Sequence, residues 1–202
     1  MILGSEQDLF PADLFEADGF PVDGRAWWLV HTKPRGEKSF ARRMASSRLP
    51  FFLPCRMTRK KVRGRVQTSW LPIFSGYAFV RVDDEERPQV FFGDHVAKLV
   101  AVVDQERLWR DLRQVRKFLD LGVPVAVEDR LIPGQRVRLR SGPLAGMCGT
   151  VVREAGTTKF VVEVDLIHKG ISVTVDKETL GLLDAAEPIG GGRTSMKPSL
   201  HP

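Results

Sequence analysis

Residues 137–151 read Val-Arg-Leu-Arg-Ser-Gly-Pro-Leu-Ala-Gly-Met-Cys-Gly-Thr-Val, and few folds accommodate such a run. Val137 and Leu139 alternate with arginines at the period of two that marks a half-buried strand. The chain then enters a loop in which Gly142, Gly146 and Gly149 allow backbone angles that a Cβ resists, before a strand returns at Val151. The same period recurs at Val162 and Val164 and at Val173 and Val175, with Gly or polar turns between. Short strands without a helix over residues 132–183 predict a small all-β barrel, because closing the sheet hides edges that so small a core cannot otherwise protect.

The residues before this unit follow a different pattern. Trp27-Trp28-Leu29-Val30-His31 is rich in aromatic and branched side chains and reads as a buried strand. Pro34 then favours a helix start, and Phe40 and Met44 at i, i+4 give that helix an inner face, with Lys38, Arg42 and Arg43 on the polar side to about Ser47. Residues 50–55 form a short apolar run. Residues 57–70 alternate around Arg63-Gly64, a turn that predicts a hairpin with a basic tip. A strong strand is expected over residues 73–82, a short helix over 84–91 and a strand over 98–103. Leu108, Leu112, Val115 and Leu119, with Arg107, Arg110, Arg113 and Arg116 turned outward, predict a last amphipathic helix. Strands mixed with helices suggest an α+β sandwich.

Charge is distributed unevenly. Residues 1–24 carry Glu6, Asp8, Asp13, Glu16, Asp18 and Asp23 and no Lys or Arg. Their scattered Leu and Phe without a period read as a mobile acidic leader. From Arg25 to Val66 thirteen Lys or Arg stand against one acid, Glu37, a block that steers toward polyanions, nucleic acid first among them. The expected organisation is therefore a leader (1–24), an α+β domain (25–120), a linker (121–131), a β-barrel (132–183) and a disordered tail (184–202). The tail contains Gly190-Gly191-Gly192.

Several function classes are excluded by what is missing. No apolar run is long enough to cross a bilayer, and the acidic N-terminus is unlike a secretory signal, so a cytoplasmic protein is expected. Cys55 and Cys148 are too sparse for a zinc site and read as small buried hydrophobes. His31, His95, His168 and His201 are scattered, and neither a nucleophile motif nor a phosphate-binding glycine loop occurs. No enzyme, metal or cofactor is expected.

The segment 137–151 resembles the KOW motif of NusG-family factors and of some ribosomal proteins. Trp27-Trp28-Leu29-Val30-His31-Thr32 and Leu71-Pro72-Ile73-Phe74-Ser75-Gly76-Tyr77-Ala78-Phe79-Val80 resemble the opening strand and the F-P-G-Y-type strand of the NusG N-terminal (NGN) domain, in order and spacing. The chain is similar to that family over residues 26–183, departing at Ser75, where proline is usual. Its short helix-to-strand connection, His31, Lys33 and basic hairpin look more like the specialised RfaH-type paralogs. The resemblance implies an NGN-like sandwich with an antiparallel sheet, followed by a KOW (SH3-like) barrel.

It also implies a transcription elongation or antitermination factor, monomeric and nucleoid-associated through RNA polymerase. Positions matching the pocket for the polymerase β′ clamp helices are Phe74, Tyr77 and Phe79, with Trp28 nearby; aromatic rings suit an interface, although alternate residues of one strand face the domain's own core. Lys33, Arg35, Arg42, Arg43, Arg59, Lys60, Lys61, Arg63 and Arg65 would face upstream DNA or the non-template strand, and His31 matches a position that contacts a displaced base. On the barrel, Leu144, Met147, Ile167 and Lys169 match a surface for a small-subunit ribosomal protein or Rho. The rival reading is a ribosome-associated or general RNA-binding KOW protein, which accounts for the charge but not for the aromatic strands.

Overall fold

A computed structural model describes residues 7–122, 125–128, 134–139, 144–154 and 157–175. In chain order the elements are β1 (Leu9–Phe10), β2 (Ala26–Thr32), α1 (Glu37–Ser46), β3 (Phe51–Phe52), β4 (Cys55–Val62), β5 (Arg65–Pro72), β6 (Tyr77–Val82), α2 (Arg87–Val90), β7 (Val96–Ala101) and α3 (Gln105–Asp120). There follow β8 (Ala126–Glu128), β9 (Gln135–Arg138), β10 (Cys148–Glu154), β11 (Thr157–Val164), a 3-10 turn (Asp165–Ile167) and β12 (Lys169–Thr174). The architecture is mixed, with antiparallel sheets and few helices. Among the described residues no helix is long and apolar enough to cross a membrane.

The first sheet has the order β1-β3-β6-β2-β7, antiparallel at every pair. Register assigns its faces. Phe51, Val80 and Trp28 lie in one cross-strand row, and the inner face of α1 (Phe40, Ala41, Met44) joins the core on that side. Phe52, Phe79, Leu29 and Val100 form the next row on the opposite face, in one core with Leu108, Leu112 and Val115 of α3. Helices on both faces explain why β2 and β6 are apolar at nearly every position. The expected strand over 73–82 begins only at Tyr77, because Gly76 takes φ 80° in the preceding turn.

The acidic leader departs from its expectation. Residues 7–24 are anchored at a few points: Leu9 pairs with Phe52 in β1, while Leu14 and Phe15 are buried in the core, Phe15 stacked on Trp27 and edge-on to Phe52. Two of its acids, Asp8 and Asp23, pair with arginines outside the basic block. Asp8 pairs with Arg116 at 3.6 Å. The buried Arg81 guanidinium donates to Asp23 at 2.9 Å and to the Pro21 carbonyl at 3.0 Å, and this bonding holds the Asp23 carboxyl below its usual range. The sequence lacks a period here because the segment docks by isolated anchors rather than as a helix or long strand.

The second sheet runs β8-β12-β11-β10-β9, antiparallel throughout. Among the described residues this ladder is open rather than closed into a barrel. Gly146 does take a positive φ of 81°, whereas Gly149 is required for another reason. A Cβ there would lie 2.4 Å from the Val161 carbonyl oxygen and 2.7 Å from the Phe160 ring. The expected tail at 184–202 lies outside the described residues.

Helix α3 is shared by the two sheets. Asp104 caps it by accepting from the Arg107 N–H at 3.0 Å. Its buried stripe includes Trp109 and Phe118 as well as Leu108, Leu112 and Val115, and Phe118 meets Phe160 of β11 with ring centroids 6.2 Å apart. Gln114 accepts from the Cys148 N–H at 2.7 Å, and Arg107 pairs with Asp165 at 3.3 Å.

Candidate functional site

Tyr77, His31 and Lys98 are the register partners at one end of β6, β2 and β7, so their side chains leave the same face of the first sheet. Tyr77 and His31 are half-buried, with rings edge-on at 4.7 Å between centroids. The turn leading into Tyr77 is fixed from α1. The Gly76 N–H donates to the Glu37 carboxylate at 2.8 Å, and the Gly76 carbonyl accepts from the Thr32 N–H at 2.9 Å. Glu37 is itself buried at 7% exposure. Sequence reasoning passed over it, although a lone acid amid thirteen cations was the available signal.

The four aromatics matched to polymerase binding do not share one surface. Phe74 and Phe79 are core residues at 1% and 0% exposure. Trp28 belongs to the other face of the sheet, with the Arg87 guanidinium 5.1 Å from its ring. Strand alternation puts Trp28 on the opposite face, whereas Tyr77 and Phe79 share the α3-side face and differ because Tyr77 stands at the end of β6; Tyr77 alone of the four combines that face with partial exposure.

The basic residues fall on two features. Among the described residues strands β4 and β5 pair only with each other, with Val62 opposite Arg65 across a turn in which Arg63 and Gly64 have φ of 48° and 80°. Both are left-handed, as a two-residue hairpin turn demands. Arg59 and Lys61 point to one face of this arm and Lys60 and Arg65 to the other, and all are exposed together with Arg63. Its base is anchored by buried Cys55 and by Arg56, which donates to the Val125 carbonyl at 3.3 Å. The second feature is α1 with the turn before it. Arg35, Arg42 and Arg43 are exposed there, and Lys33 pairs with Asp94, whose carboxyl it holds below the usual range.

In the second sheet, Leu144, Met147 and Ile167 are buried and Lys169 is half-buried. The three apolar residues belong to the same core as α3. Cys148 is half-buried, unlike Cys55, and its Sγ accepts from Arg138 Nε–H at 3.4 Å.

Burial pushes the nearby Asp111 carboxyl up to about 6, and the Asp165 carboxylate adds to the rise. The Asp165 N–H, which donates to Asp111 at 3.3 Å, opposes it, as do Arg107 and Arg110. A folded-state value above the ordinary 3.8 means that Asp111 contributes most below about pH 4 and that this contribution is lost as pH rises through about 6. Asp111→Asn keeps an acceptor without the charge. It is expected to stabilise the chain by on the order of 2 kcal/mol at neutral pH, the gain vanishing toward pH 4 in urea melts. A gain independent of pH would contradict this account.

The family model described as "NusG: Transcription termination factor nusG" matches residues 25–134. Among solved structures, the crystal structure of an MjSpt4:Spt5 complex in conformation B is similar over 80% of this chain and 99% of that chain, at 14% identity and a TM-score of 0.22. That similarity is too low to carry an argument. No curated protein matches the chain.

Proposed function

The chain belongs to the NusG family of transcription factors, and from that premise we propose that it is an elongation or antitermination factor of the specialised, RfaH-like kind, docking on the β′ clamp helices of RNA polymerase. The observation that carries the reading is the Tyr77–His31 pair, two half-buried rings in edge-on contact on adjacent strands, with a turn fixed by Glu37 beneath them. Rigid aromatic side chains bury much area at little entropic cost, as anchor residues of an interface do. In this reading His31 acts beside Tyr77 on the polymerase rather than on a displaced base. Phe74 and Phe79 shape the site from below.

The β4–β5 arm supplies phosphate contacts to upstream or non-template DNA, its cations on both faces suiting a probe that lies along a strand rather than a base-reading edge. Replacing Lys60, Lys61, Arg63 and Arg65 together by Gln is expected to flatten the salt dependence of duplex binding, each true contact removing about 0.9 from the log–log slope. An unaltered slope would leave the arm a merely solvated feature. The second sheet is a KOW module for a small-subunit ribosomal protein or Rho. Because Leu144, Met147 and Ile167 are buried, recruitment through them requires the core that covers them to open. The experiment for the whole reading is copurification from nuclease-treated lysate. Core polymerase retained on the tagged chain supports it, and ribosomal subunits alone would replace it with a ribosome-associated KOW protein.

A further inference from the structure

A cleft of about 330 Å³ lies between the leader and the C-terminal half of α3, a volume within the range of small-molecule sites. Both of its walls are held by the fold. Leu9 is paired with Phe52 in β1, and the Leu14 and Glu16 N–H groups donate to the Pro11 and Asp13 carbonyls at 3.1 and 2.9 Å. Leu9, Ala12 and Phe15 give the leader side an apolar surface. Charge is concentrated on the α3 side. Arg113 and Lys117 stand one turn apart there, and neither side chain has an ion pair among the described residues. The Arg113 guanidinium is held 5.1 Å from the Trp109 ring centroid, and its Nε is buried with no hydrogen-bond partner. An unpaired buried donor is costly, and an acceptor on a ligand would remove that cost. Arg116 is already engaged, by Asp120 at 2.8 Å and Asp8 at 3.6 Å. Glu16 is the remaining acid at the cleft, so two unpaired cations stand against one acid and leave one net positive charge.

We infer that this cleft is a binding site for a small aromatic monocarboxylate, with its carboxylate on Arg113 and Lys117 and its ring against Leu9, Ala12 and Phe15. A planar guanidinium takes a carboxylate in two parallel hydrogen bonds, and Lys117 adds a point charge. One net positive charge suits a single negative one, whereas a polyphosphate would be repelled by Glu16 and Asp120. A flat ring covers the apolar side with few rotatable bonds to immobilise. Because the ligand touches both the leader and α3, its binding ties one to the other and stabilises the docked leader. The inference needs the fold alone and is independent of the polymerase reading.

Isothermal titration of the full chain with 2-naphthoate, and with the neutral 2-naphthamide of the same shape, tests it. The naphthoate is expected to bind at one site and the amide about 10-fold more weakly. Arg113→Gln, checked for an unchanged thermal melt, should weaken the naphthoate about 10-fold, the loss that follows from removing one charge-assisted contact, and leave the amide where it was. Ala12→Trp, at an exposed position, fills the cleft without touching a charge and should abolish binding of both. Absence of saturable naphthoate binding by wild type into the millimolar range would overturn the inference. So would equal affinity for the amide, or a naphthoate affinity within about twofold of wild type in either folded variant.

Discussion

Phe15→Ala is expected to destabilise the chain by about 3 kcal/mol, read as a lower urea midpoint at unchanged slope. The figure follows from what the ring touches. Phe15 is buried, lies parallel to Trp27 at 5.8 Å and meets Phe52 edge-on at 5.1 Å. Its removal opens a hole between the leader, α3 and the first sheet. The loss should fall at the lower end for a phenylalanine truncation, because a cleft of about 330 Å³ already borders the ring and lets neighbours relax. Val22→Ala, at a position 96% exposed, should stay within about 0.5 kcal/mol of wild type. A Phe15→Ala change as small as that control would mean that the leader is detached in solution. Deleting residues 1–24 would remove Leu9, Leu14 and the Asp23–Arg81 contact as well. It should therefore destabilise the fold before it alters nucleic-acid binding.

Tyr77→Ala combined with His31→Ala is expected to weaken binding to the isolated β′ clamp helices at least 30-fold, since anchor aromatics commonly contribute about 2 kcal/mol or more each. Tyr77 also packs against the core, so the double variant should lose some stability. Tyr77→Phe, which keeps the ring, should bind within about threefold of wild type and melt like it. The pair is coupled by direct ring contact, so the two single losses should not sum to the double one. Phe74 and Phe79 do not serve as probes of the interface, because truncating a core ring unfolds what it supports.

Much of the first domain was legible because its signals are local. Phe40 and Met44, and Leu108, Leu112 and Val115, repeat at helical spacing and are buried where that spacing puts them. Arg63-Gly64 forms the hairpin turn because glycine tolerates a positive φ. What could not be read depends on tertiary placement. Leu14 and Phe15 have no period, so nothing in the leader distinguishes a docked strap from a solvated one. Phe74, in the turn before β6, and Phe79, within it, carry the right residue types for an interface, yet both faces of β6 are covered and the alternation alone does not say which residues remain accessible. Leu144, Met147 and Ile167 are buried in a core shared with α3, whose stripe is wide enough to serve two sheets. Phe91 and Phe92 would be assigned to a core on composition, and only the fold shows them exposed.

Direct titration of the full chain against the isolated β′ clamp helices, free of nucleic acid, tests the central claim. Saturable binding that Tyr77→Ala with His31→Ala abolishes is the predicted result; no binding by wild type, or binding indifferent to Tyr77 and His31, would contradict it.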